Sequence, residues 1–385
     1  MKQSILFIFI LLSYFFNVSG QNKDSINYGI TRNMPLFYKQ LKEQLSYPMA
    51  WEKSSIKNFN RWRNEARKQV FECMRNVSPA PDNYNMEIID TEKRNGYEIR
   101  RITFNLSSWY RVPAYLLVPQ GKGPFPAIVM LHDHGAHFSI GKEKMIRPFD
   151  VKKEVLADAD DWSTRCYDGQ YTGDYFAEHG YVVLSVDALF WGERAQKEGP
   201  SYEGQQALAS NFLQMGASWS AFITMDDIRS TDFLASLSFV NASKIGCLGF
   251  SMGGYRSWML SALTDRIKAS ASICWMNTTE YLMDLSNNQN KGGSAYSMLI
   301  PNIRLYLDYP HVASIACPKP SLFFNGTKDK LFPVKGVEDA YSILHKVWNS
   351  QHASEKLVTK LWDEKHFFNK SMQKETLEFF DKWLK

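Results

Sequence analysis

The chain has 385 residues, 44% hydrophobic and 22% charged, which excludes a disordered or fibrous protein and leaves room for one large α/β domain with additions. Forty-five Lys and Arg against 40 Asp and Glu give a net charge of +5. That charge is spread along the chain without the basic runs of a nucleic-acid-binding surface, so no nucleic-acid partner is expected.

Met1-Lys2-Gln3 gives a short positive start, and residues 5–16 are then almost wholly apolar. A span needs about 20 apolar residues, so this stretch is too short for one. Val18 and Gly20 suit the −3 and −1 positions of a cleavage site. The sequence thus predicts a cleaved export signal over residues 1–20, a mature chain from Gln21, and a periplasmic or extracellular location. No later run is apolar enough to span a membrane. The five cysteines, Cys73, Cys166, Cys247, Cys274 and Cys317, form no C-x-x-C pair and do not read as a disulfide framework or zinc ribbon.

Residues 21–95 read as an N-terminal helical extension. Within it Phe59, Trp62, Ala66, Val70 and Met74 recur at spacings of three and four and draw one apolar stripe. Pro79, Pro81 and Asp82 break that pattern. Residues 96–385 read as an α/β domain, with strands at 101–104, 114–118, 127–131, 181–186, 245–250, 269–274, 321–324 and 357–362. The last is interrupted by Thr359 and Lys360, as in an edge strand. Mostly apolar strands alternating with helical stretches, such as 225–239 and 370–384, predict a mostly parallel sheet with helices on both faces. The stretch between Cys274 and Ser321 is long enough to lie over a site.

The most informative segment runs from Ile245 to Gly254. An apolar strand ends in Gly249-Phe250-Ser251-Met252-Gly253 and leads straight into a helical pattern. A sharp strand-to-helix turn there exposes the Ser251 hydroxyl at a helix N-terminus. A serine nucleophile needs a base, and two later strand ends supply a base and its orienter. Asp329 follows the strand at 321–324, and His366 follows the strand at 357–362. The order Ser251, Asp329, His366 is that of the α/β-hydrolase fold. Asp363 and Glu364 are rival carboxylates on the loop of His366.

His132-Asp133-His134-Gly135-Ala136-His137 follows the strand at 127–131. As a His-Gly turn it would offer the Ala136 N–H as an oxyanion donor beside that of Met252. The alternative is a metal site on His132, His134 and His137, although Ala136 stands where such motifs want a carboxylate. On the first reading no metal or other cofactor is expected, and His132 and His134 order the loop. Lys142-Glu143-Lys144 and Arg147 read as solvated.

Taken together, Pro124–Gly135, Gly141-Lys142-Glu143-Lys144, the run from Asp187 to Arg194, that from Asp227 to Leu234, and the Ser251 motif resemble one group of proteins. This is the exported acetyl xylan esterase and dienelactone hydrolase-like branch of the α/β-hydrolases, which includes bacterial pectin methylesterases. The resemblance runs from about Met34 to the C-terminus. It implies a carboxylic-ester hydrolase domain over 96–385, with Ser251 as nucleophile, His366 as base, Asp329 as orienter, and Met252 and Ala136 as oxyanion donors. It also implies an ester-decorated oligo- or polysaccharide as partner. The nucleophile of dienelactone hydrolases proper is a cysteine, so lactone opening is not implied. A serine peptidase of the same fold is the alternative activity.

Overall fold

In the computed structural model, residues 30–31, 34–35, 37–75, 77–284, 287 and 293–385 are described. The predicted signal over 1–20 lies outside them. Eleven strands are assigned among these residues. β1 (Ile30–Thr31) and β2 (Met34–Pro35) form a short antiparallel pair. The other nine form one sheet: β3 (Glu87–Arg94), β4 (Tyr97–Ser107), β5 (Tyr110–Pro119), β6 (Phe125–Leu131), β7 (Val182–Val186), β8 (Val240–Phe250), β9 (Ile267–Ile273), β10 (Ser321–Gly326) and β11 (Leu357–Trp362). Its order is β11-β10-β9-β8-β6-β7-β5-β4-β3, parallel from β11 to β7 and antiparallel beyond.

β7 and β10 are buried at every position, the continuous apolar character of strands covered on both faces. β11 is an edge strand, and its polar Thr359 and Lys360 fall where only one neighbour is present. β3 is the strand that hydrophobic patterning does not reveal. Glu87, Asp90, Glu92, Lys93 and Arg94 make it a charged, exposed edge, which protects the sheet from pairing with other chains. The signal for it is Asn95-Gly96, the turn of the β3–β4 hairpin, where Gly96 has φ +82°.

The helices are α1 (Tyr38–Glu43), α2 (Phe59–Met74), α3 (Lys153–Tyr167), α4 (Thr172–Glu178), α5 (Tyr202–Gln214), α6 (Trp219–Ser236), α7 (Met252–Leu263), α8 (Thr279–Leu282), α9 (Tyr309–Ala313), α10 (Val334–Ser350) and α11 (Lys370–Leu384). Along β6, Ile128 and Met130 join a core with Trp162 of α3, Phe176 of α4 and Phe380 of α11. The alternate residues Ala127, Val129 and Leu131 meet Phe233 of α6 and Leu260 of α7 on the other face. The predicted stripe of α2 (Phe59, Trp62, Ala66, Val70 and Met74) is buried in a third cluster with Trp258 of α7 and Leu344 of α10. The sheet is therefore mostly parallel and covered on both faces, as the strand pattern predicts. No described helix is long and apolar enough to cross a membrane.

Candidate active site

The carboxyl ends of the parallel strands carry the polar residues singled out in the sequence. β8 ends at Phe250, α7 begins at Met252, and Ser251 between them has φ +55° and ψ −124°. This conformation is costly for a residue with a Cβ, and the neighbours enforce it. A Cβ on Gly249 would collide with the Gly253 backbone, and one on Gly253 with the carbonyl oxygen of Leu131 at the end of β6. Two glycines thus let the first turn of α7 press against β8 and β6, and the turn has no room to relax.

Ser251 Oγ–H donates to Nε2 of His366 at 2.9 Å, and His366 Nδ1–H donates to Oδ2 of Asp329 at 2.6 Å. The Asp329 side chain is wholly buried, while that of His366 is 22% exposed. The other carboxylate oxygen of Asp329 accepts from the Leu331 amide at 2.9 Å, which fixes the carboxylate plane. The imidazole lies between the rings of Phe250 and Phe332. The structure therefore brings together the three residues that the sequence places at separate strand ends. It does not bring the rivals in: Asp363 is exposed and pairs with Lys328 at 2.8 Å, which lowers its pKa, and Glu364 accepts from Asn369.

One neighbour lies outside the sequence reading. The ligand-type atoms of Cys274, Asp329 and His366 all lie within 4.8 Å of one another. Burial, and then the Asp329 charge, push the Cys274 thiol pKa up, so beside Asp329 and His366 it stays a protonated thiol.

Met252 is the first residue of α7, where a backbone N–H has no acceptor within the helix. Ala136 has φ +54°, and its N–H donates to Nδ1 of His134 at 3.3 Å, so this expected donor already has a partner. The other nitrogen of His134 donates to Oε1 of Gln205 at 2.9 Å. His132 donates from Nδ1 to the Asp133 carbonyl and accepts at Nε2 from the Ala188 amide. His137 bonds Asp158 through Nδ1 and Arg165 through Nε2. Every ring nitrogen of the three histidines is engaged within the protein. The clusters of three or more ligand-type side chains found among the described residues include none of these histidines, which runs against the metal alternative. Burial, then the nearby Lys144, lower the His134 pKa to about 4; burial and then Arg256 push that of His132 well below the usual range.

The solvated reading of Lys142-Glu143-Lys144 is corrected by the structure. All three are buried. Lys142 Nζ lies 2.7 Å from Glu143, 2.8 Å from Asp187 and 2.7 Å from Glu193. Lys144 Nζ donates to the carbonyls of His134 at 2.8 Å and Asp133 at 3.2 Å. Charged residues usually mark surface, but here carboxylates and carbonyls on two neighbouring loops replace the lost water. Arg147 does remain exposed, beside Asp160.

Ser251 opens into a cavity of about 60 Å³ lined by His134, Trp275, Leu282, Ser294, Met298 and Phe332. Four of these, Trp275, Leu282, Ser294 and Met298, come from the stretch between Cys274 and Ser321, which therefore covers the site. All five cysteines are free.

The model of a family described as the Abhydrolase family matches residues 19–372. The chain is 26% identical over 323 residues to "Putative hydrolase YtaP" of Bacillus subtilis (strain 168), covering 84% of this chain and 100% of that protein. Among solved structures it is similar to a "putative acetyl xylan esterase (BF1801)" from Bacteroides fragilis NCTC 9343. There the TM-score is 0.67 with 17% identity, over 84% of this chain and 82% of the other. It is similar also to "Methylesterase BT1017", with TM-score 0.60 and 18% identity over 90% of this chain and 68% of the other. At such identities the two structures speak for the fold, which is the α/β-hydrolase fold. Since the family model matches residues 19–372 of the 385, the chain belongs to the Abhydrolase family.

Proposed function

We propose that the protein is an exported serine carboxylic-ester hydrolase that removes acetyl or methyl ester groups from plant cell-wall saccharides such as xylan or pectin. The observation that carries the chemistry is the unbroken relay Ser251–His366–Asp329 on a strained strand-to-helix turn. His366 takes the Ser251 proton as Oγ bonds to the ester carbonyl carbon, and Asp329 balances the charge gained by the imidazole. The carbonyl oxygen, now an oxyanion, takes the Met252 N–H and draws the Ala136 N–H away from His134. His366 then gives its proton to the departing alkoxide, which leaves as the alcohol. Water, deprotonated by His366, releases the acid and restores Ser251. The route uses no metal or other cofactor.

The saccharide reading is supported by the sequence resemblance, by the esterase names of the two structural neighbours, and by the export signal read in residues 1–20. Proton NMR of one reaction containing acetylated xylan and methyl-esterified pectin fragments tests it, with Ser251→Ala as control. Acetate from wild type alone makes the protein a deacetylase, and methanol makes it a pectic demethylase. If neither is released while peptides are cleaved, the enzyme is a peptidase of the same fold. Near-normal turnover by Ser251→Ala would overturn the mechanism.

A further inference from the structure

Of the eleven tryptophans, ten are buried or half-buried, and Trp109 is 67% exposed. With Ser108 it forms the two-residue turn between β4 and β5. The turn is held from below. Tyr110 O–H donates to Oδ1 of Asp226 at 2.6 Å, and the Arg194 guanidinium sits 5.5 Å from its ring. The Trp109 N–H donates to Ser107 Oγ at 3.1 Å. A large ring carried on a braced turn and offered to water is available for stacking.

Trp109 stands between two depressions. One is an apolar groove of about 770 Å³ walled by Leu189, Phe212, Met215 and Phe222. The other, of about 440 Å³, presents Asp82, Asn83, Asn105, Ser108 and Arg111. A flat aromatic face bordered by amide, hydroxyl and charged groups complements a molecule with apolar ring faces and a rim of hydroxyls, which is a saccharide.

The placement adds to this. β5 runs antiparallel to β7, with Ala114 opposite Val186, the last residue of β7. Residues before Ala114 therefore extend past the carboxyl edge of the sheet, the edge that carries Ser251, Asp329 and His366. Three strand steps, from β8 through β6 and β7 to β5, set the hairpin about 15 Å along that edge from Ser251. α5 bridges the interval. Its first residue, Tyr202, stacks on His134 of the Ser251 cavity with rings 5.7 Å apart and 17° from parallel. Its last turn supplies Phe212 to the Trp109 groove.

We infer that Trp109 is the platform of a distal saccharide subsite, on which one sugar ring of an oligomeric or polymeric substrate stacks while the esterified ring lies at Ser251. The inference rests on the carbohydrate-esterase reading and extends it from a small ester to a chain.

Isothermal titration of Ser251→Ala and of Ser251→Ala/Trp109→Ala with xylohexaose and with hexagalacturonate tests the subsite directly. One hexasaccharide is expected to bind Ser251→Ala and to bind the double variant about tenfold more weakly. In turnover, Trp109→Ala is expected to lose about tenfold in kcat/KM on the corresponding esterified oligosaccharide, through KM, and nothing on 4-nitrophenyl acetate. Equal binding by the two proteins, or no binding of either hexasaccharide, overturns the subsite. So does a dimer that Trp109→Ala dissociates without any change in saccharide affinity, since the ring then belongs to an interface. Trp109-dependent binding in an enzyme that hydrolyses neither saccharide ester would retire the esterase reading and leave the subsite standing.

Discussion

Lys142 places its ammonium 2.8 Å from Oδ2 of Asp187, with both side chains wholly buried. The backbone N–H of Lys142 also donates to the other Asp187 oxygen at 2.7 Å, and the Glu193 N–H to Oδ2 at 3.1 Å. One carboxylate thus joins the loop after β6, which carries Ala136, to the loop after β7. Burial works against the ammonium, but Asp187, Glu143 and Glu193 overcome it and hold the Lys142 pKa well above its ordinary value.

Replacing Lys142 by Met would strand the buried Asp187 and Glu143 carboxylates in a dry site. We expect Lys142→Met to lose about 3–5 kcal/mol of stability, read as a lower urea midpoint. A loss below about 1 kcal/mol would mean that the carboxylates find other partners.

Asp329→Asn preserves shape but removes the charge that orients and balances His366. We expect kcat on 4-nitrophenyl acetate to fall by about 10⁴-fold. Asp363→Asn, at the exposed rival carboxylate, should stay within about twofold of wild type. The reverse ranking would reassign the orienting carboxylate.

Acid should weaken the fold through His134. Its folded pKa, about 4, lies below the ordinary value of 6.5. Below 6.5 the unfolded chain binds a proton that the folded chain refuses, so stability falls as pH drops from 6.5 toward 4. From pH 7 to pH 5 this amounts to about 2 kcal/mol. His132, depressed in the same direction, adds to it. Urea midpoints measured at pH 7 and pH 5 should show the loss, and His134→Gln should show less of it. An identical pH response in the variant would place the acid sensitivity elsewhere.

Gly253→Ala puts a methyl group against the Leu131 carbonyl. Either α7 or the end of β6 must move, at about 1–3 kcal/mol, and both flank Ser251. Stability and kcat should therefore fall together. A variant with full activity would show that the turn tolerates displacement.

Much of this site was legible in the sequence because its parts are local. A strained turn requires glycines two residues on either side of Ser251, and strand ends must bear the loops that hold Asp329 and His366. The apolar stripe of α2 and the parallel strands were legible for the same reason, since a buried face imposes its period on the residues that form it. β3 was hidden because an edge strand is half solvent-facing and its charges oppose that pattern.

What depended on partners distant in sequence was not legible. Lys142 and Lys144 look like surface in any window of residues, and become interior only because Asp187, Glu193 and the carbonyls of Asp133 and His134 fold around them. The Ala136 N–H looks available until His134 turns its ring back upon it. Composition counts eleven tryptophans, but packing decides which ten are covered and leaves Trp109 in water. Sequence by itself singled out Ser251, His366 and Asp329, the residues proposed as nucleophile, base and orienter, because a glycine-flanked strand-to-helix turn and two later strand ends mark their places. Burial, charge compensation and exposure are sums over neighbours that only the folded chain assembles, so the tertiary structure alone decided them.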